Sequence, residues 1–197
     1  GHEVVTLADL GEVLSTVATV NDVHFGETEC GVISGTDIGP TFSVGPEEEP
    51  YPEMMNRGAI AEIAAMDADA VVVKGDLTCA GTLDEYRRFL EFYGSAFGDR
   101  LHHVRGNHDS YHGQVFADFA MQEVTVEGAT LAILDTARDQ QTTGSLSVDQ
   151  LEWLDELASR FGGPDGKTQA WADLRRFSLE RAIAELNQLS GFTVSYE

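Results

Sequence analysis

Three short stretches of this chain end in residues able to hold a cation: Asn21-Asp22-Val23-His24, Gly75-Asp76 and Gly106-Asn107-His108-Asp109. Asp22 and His24 are one residue apart. In an extended segment their side chains leave the same face, so a carboxylate and an imidazole can hold one cation. Asp76 has two carboxylate oxygens and can bridge two cations, which in two-metal sites lie roughly 3.5 to 4 Å apart. Asn107 offers a neutral carbonyl oxygen to the second ion, and Gly106 permits the tight turn that places it. His108, with Asp109 next to it, is left for proton transfer. Such a pair of ions polarises a phosphoryl oxygen and lowers the pKa of a bridging water toward roughly 7, giving hydroxide for in-line attack on phosphorus.

The elements that must position these residues are short apolar strands. Leu14 to Asn21, Ala70 to Lys74 and Leu101 to Arg105 each read as a buried, β-branched strand stopping at one of the three stretches. In an open α/β sheet strand ends converge on one crevice, where residues distant in sequence can meet. Val4 to Leu7 reads as an edge strand. Phe25 to Pro50, rich in glycine and carrying Glu47-Glu48-Glu49, reads as a long loop forming a lid or rim. Tyr51 to Met66 has a helical stripe at Met55, Ala59, Ile60, Ile63 and Met66. Thr82 and Glu85 form a capping box for a helix through Tyr93, with Leu83, Tyr86, Phe89, Leu90 and Tyr93 as its buried face.

Asp109 to Ala120 is read as an irregular or short helical connection. Two strands, Glu123 to Val126 and Ala129 to Asp135, follow, joined by Glu127-Gly128. Ser147 and Gln150 cap a helix from Val148 to Phe161; GGPDG then breaks the chain before a final helix, about Thr168 to Ser190. Residues 1–161 are expected to form the core, with 162–197 as a C-terminal helix and tail in the same domain or appended to it.

Acidic residues number 34 against 12 basic ones, a formal net charge of −22. That charge repels a phosphate backbone, so nucleic acid is not an expected partner. Two cysteines, Cys30 and Cys79, give no disulfide framework and read as small buried side chains. No apolar run is long enough to span a bilayer and the first residues lack the pattern of a signal peptide, so a cytoplasmic protein without membrane contact is expected.

The set Asp22-x-His24, Gly75-Asp76 and Gly106-Asn107-His108-Asp109 resembles the first three signature blocks of the calcineurin-like metallophosphoesterases. GDLTCAGTLDEYRRF, with AFGDRLHHVRGNHD after it, resembles the class III cyclic nucleotide phosphodiesterase branch. The resemblance covers roughly Leu14 to Ser159. It implies a sandwich of two mixed β-sheets flanked by helices, and two divalent or trivalent ions of manganese, iron or zinc. Asp22 and His24 would hold one ion, Asp76 would bridge, Asn107 would hold the other, and His108 would be the leaving-group acid. The implied substrate is a small phosphoester, a cyclic nucleotide such as cAMP.

The family's later histidine blocks do not occur, and no histidine follows His112. The alternative is a truncated or catalytically crippled relative with a binding or structural role. Replacement ligands could come from His112, from Asp135 or from a second copy in a homo-oligomer. His2, His102 and His103 are weaker candidates, and Lys74 and Arg105 could neutralise phosphate or pair with surface acids.

Overall fold

The computed structural model describes residues 11–32, 35–113 and 115–161. The chain divides into two compact units, residues 1–146 and 147–197. The expected edge strand at residues 4–7 and the helix at 168–190 lie outside the described residues.

The first unit is built on a three-stranded parallel sheet in the order β1 (Val17–Val20), β4 (Ala70–Lys74), β5 (Leu101–Val104). The register pairs Val17 with Ala70 and Val71 with Leu101. β4 is the central strand, and its alternation sends successive side chains to opposite faces. Val71 and Val73 join Phe25, Ile63, Leu77, Phe89 and Tyr93 in one core cluster, while Ala70 and Val72 join Val104, Val124 and Ile133 in a second. A strand buried on both faces needs the continuous β-branched run that AVVVK supplies.

Helices cover the first face. α1 (Tyr51–Ala65) buries Pro52, Glu53, Asn56 and Ile63, whereas Met55 and Met66 of the expected stripe are 69% and 60% exposed. The inward face is pinned by a polar residue. The Asn56 amide donates to the Val23 and Pro52 carbonyls, and its oxygen accepts the Tyr93 hydroxyl at 2.7 Å. α2 (Leu83–Phe89) opens on the expected Thr82–Glu85 capping box, and the chain continues through a π-helical turn, Leu90–Gly94, and α3 (Ser95–Phe97). Phe89 and Tyr93 are fully buried, but Leu83 and Leu90 face outward. Phe25 meets Phe89, Phe92 and Tyr93 edge to face; each such pair adds about 1 kcal/mol beyond its area.

The hairpin β6 (Met121–Val126) and β7 (Ala129–Leu134) covers the other face, turning at Glu127-Gly128. The expected loop over residues 25–50 contains a small antiparallel pair, β2 (Glu29–Cys30) with β3 (Phe42–Ser43). The architecture is thus mixed α/β with small sheets and few helices. The expected sandwich of two mixed sheets is not formed among the described residues: each sheet there is wholly parallel or wholly antiparallel, and β6 and β7 pair only with each other.

In the second unit the described element is α5 (Val148–Phe161), which begins at the expected Ser147–Gln150 capping box. Leu157 is buried on it and Leu151 is 45% exposed. No described helix is long and apolar enough to cross a membrane.

Candidate metal centre

The loops leaving β1, β4 and the short helix α4 (Asn107–Ser110) after β5 meet at the carboxyl edge of the parallel sheet. They are laced by backbone hydrogen bonds, His24 N–H to the Asp76 carbonyl at 2.9 Å and Phe25 N–H to the Leu77 carbonyl at 3.1 Å. Asp22, His24 and Asp76 all adopt left-handed backbone, with φ of 55°, 47° and 47°. Non-glycine residues at such φ cost free energy and concentrate where a site requires a particular direction of side chain. Gly106 allows the closest approach. A Cβ there would lie 2.1 Å from Asp76 Oδ1, although its own φ of −106° suits any residue.

His24, Asp76 and His108 come together, with one ligand atom from each lying within 4.8 Å of the others. His24 Nε2 is 3.6 Å from Asp76 Oδ2, and the His24 and His108 rings meet edge to face at 4.6 Å. Asp76 Oδ1 accepts the His108 backbone N–H at 3.0 Å, and His108 Nδ1 lies 2.6 Å from the Cys79 carbonyl oxygen. With the proton on Nδ1, that carbonyl fixes the ring and leaves Nε2 as a donor atom, the usual outer support of a metal-binding histidine.

The electrostatics follow from this crowding. The Asp76 carboxylate, with the Cys79 thiol and Glu27 adding to it, pushes His24 up to about 10. Burial opposes ionisation of Asp76, but His24 and the His108 N–H outweigh it and hold the carboxyl below its ordinary range. A proton on His24 therefore does for the cluster what a cation would do. Two imidazoles and a carboxylate form a donor set suited to zinc, iron or manganese, so the residues present fit a transition-metal ion.

The other expected site residues are distributed around this cluster. Asp22 is exposed and accepts the Asn21 side-chain amide at 2.7 Å. Together with Asp76, Asn107 and Lys74 it lines a cavity of about 480 Å³. The Asn107 amide donates to the Tyr111 hydroxyl at 2.5 Å. Asp109, expected beside His108 in proton transfer, is fully buried. Its carboxylate accepts the N–H groups of Leu77, Thr78 and Gly106 and the Thr78 hydroxyl, at 2.6 to 3.0 Å. It clamps the second loop to the third, and burial pushes its pKa up against those four donors.

Asp135 and Arg105 pair at 2.8 Å, and Asp135 also caps Ala137 N–H at 2.7 Å, the turn role of such a residue. His103 is buried in the core against Tyr86, Phe89 and Phe119, and His112 is exposed. Sequence reasoning missed Glu27 and Tyr51, which lie against His24 in a second cavity of about 330 Å³. They sit in and just after the stretch read as a rim, with no spacing to mark them.

Comparison with known protein families finds a match to one described as "Initiator Rep protein, WH2" over residues 154–197, under a quarter of the chain. No curated protein matches the chain. The matched family is not a metallophosphoesterase family, which corrects the resemblance stated above. The assignments that rested on it, a hydrolase, a cyclic nucleotide phosphodiesterase and a small phosphoester substrate, are corrected with it. The physical reason lies in the motifs. Each block is two to four residues of types that any strand-to-loop junction can supply, and the later histidine blocks are missing.

The exclusion of nucleic acid is corrected by the same match. It averaged charge over the whole chain, whereas residues 154–197 carry seven acidic and five basic side chains and are close to neutral. The acidity belongs to the rest.

Proposed function

We propose that this chain is a DNA-associating protein of the replication-initiator kind whose first unit carries a divalent-metal site. The observation that carries the metal site is the convergence of His24, Asp76 and His108 from three separate loops. A cation there would supply a fixed positive charge tying those loops together. His24 and His108 would hold it through imidazole nitrogen and Asp76 through a carboxylate oxygen. Of the two ions expected, this cluster would take one; Asp22, expected with His24 on that ion, and Asn107, expected on the other, line the adjoining cavity with Asp76.

The DNA-associating role is supported by the match over residues 154–197. A winged helix meets DNA largely through phosphate contacts from basic side chains.

Each half has its own test. Elemental analysis of the purified 197-residue chain, with thermal unfolding before and after chelation, should show bound transition metal and a raised Tm. A metal-free chain whose Tm ignores added zinc and manganese would overturn the metal site. Fluorescence anisotropy with labelled duplex DNA should show saturable, salt-sensitive binding. Arg175→Ala with Arg176→Ala should weaken it and shallow the salt slope. Binding absent at low salt would overturn the DNA role.

A further inference from the structure

Outside the cluster itself, the feature with most left to explain is the far side of His24. Its Nε2 faces Asp76, and on the opposite edge of the ring Nδ1 is buried without a hydrogen-bond partner among the described residues. The nearest carboxylate to that edge is Glu27 Oε2 at 3.8 Å. Glu27 is not a free surface acid. It sits on the turn closed by its own N–H donating to the His24 carbonyl at 3.1 Å, and the Tyr51 hydroxyl donates to its carboxylate. Tyr51 opens α1 and is braced by the Phe42 ring, edge to face at 4.5 Å.

We propose that Glu27, held by Tyr51, is the positioning residue of the candidate centre: it takes the His24 Nδ1–H and so turns the Nε2 lone pair toward Asp76 and His108. The inference rests on the metal reading above. A neutral imidazole has one N–H, and only the other nitrogen can bind a cation. The carboxylate behind Nδ1 therefore decides which nitrogen is offered, and it makes the imidazole a stronger donor. Closing 3.8 Å to a hydrogen bond needs a displacement of under roughly 1 Å, and the adjoining cavity lined by His24, Glu27 and Tyr51 leaves room for it. The Cys79 thiol also reaches His24. A thiol is a weak acceptor beside a carboxylate, and it is the competing candidate for the same role.

The test is zinc binding by the 197-residue chain, read by calorimetry and by long-range proton–nitrogen NMR of the histidine rings. The parent should bind zinc with His24 in the Nδ1–H form and Nε2 shifted by the metal. Glu27→Ala should weaken zinc roughly 10- to 100-fold and scramble the His24 tautomer, the loss that outer-shell partners typically cause. Glu27→Gln, which keeps an acceptor, should preserve the tautomer and lose less, and Cys79→Ala, which removes the competing thiol, should preserve the tautomer. Circular dichroism of both Glu27 variants checks folding, and the near-isosteric Gln variant carries the test if Glu27→Ala unfolds. Zinc affinity within twofold of the parent and an unchanged tautomer in Glu27→Ala would overturn the positioning role alone. The same holds if Cys79→Ala alone scrambles the tautomer. A parent chain that binds no zinc would overturn the metal reading and this inference together.

Discussion

His24 and His103 show one side chain in two opposite states. His24 stands at the carboxyl edge of the sheet, where carboxylates face its ring and raise its pKa to about 10. His103 lies in β5 under α2, with the Tyr86 hydroxyl 2.9 Å from Nε2 and aromatic rings around it; burial, then the neighbouring His102, lowers its pKa to about 4. In each ring Nδ1 is buried without a hydrogen-bond partner among the described residues. What separates them is the sign of the surrounding charge. An acid-lined pocket accepts a cation, whether proton or metal, and an apolar pocket rejects it.

The largest way to break the comparison is to remove the acid. On the proposed reading Asp76→Asn should lower metal affinity roughly 100-fold or more, since it deletes the one carboxylate of the cluster. His24 should then titrate nearer its ordinary range. Mass spectrometry of bound metal and NMR titration of the histidines check both, and unchanged stoichiometry and affinity would refute it.

The next test sharpens the distinction by pH. Because His24 must lose its proton to bind a cation, apparent metal affinity should rise about tenfold per pH unit as pH climbs toward about 10. Calorimetry at pH 6, 7 and 8 would show it. A flat profile would mean that His24 is not a ligand.

His103 should act in the other direction and on stability. Its folded pKa lies below that of the unfolded chain, so the unfolded state binds the proton first. Stability should hold above pH 6.5 and fall as pH drops toward about 4, by about 3 kcal/mol at the limit. Urea unfolding at pH 7, 5 and 4 would measure the fall. His103→Gln, which cannot take the proton, should flatten it.

How much of this was legible depends on what each residue's role needs. Ala70–Lys74 and Val148–Phe161 were bounded from sequence because β-branched runs and capping boxes act locally. The clustering of the three loops was legible because strand ends converge. The inward face of α1 was misread, since Asn56 and Glu53 are buried there through partners on distant elements, Val23 and Tyr93 for one and Arg88 for the other. Asp109 had the type and place of a residue for proton transfer, but its four donors, three backbone N–H groups and the Thr78 hydroxyl, are brought in by tertiary structure. The family resemblance rested on blocks too short to carry it. The charge argument failed because a sum over 197 residues conceals where the charges sit.

The smallest expected effect separates stability from site geometry within one capping box. Thr82 Oγ1 accepts the Glu85 N–H at 3.3 Å, while Glu85 Oε2 accepts the N–H groups of Ala80 and Thr82 at 3.0 and 3.1 Å. The two side chains thus hold different things. Thr82 caps α2, which packs over the His103 core; Glu85 also ties down the loop carrying Cys79, whose carbonyl orients His108. Thr82→Ala should cost about 1 kcal/mol of stability and leave metal affinity unchanged. Glu85→Ala should cost a similar amount and also weaken metal binding severalfold, because His108 loses a fixed acceptor. Paired urea unfolding and zinc calorimetry on the two variants would decide. Equal zinc affinities would show that the Cys79 carbonyl is held without Glu85, by the loop's backbone contacts to Phe25 and its clamp on Asp109.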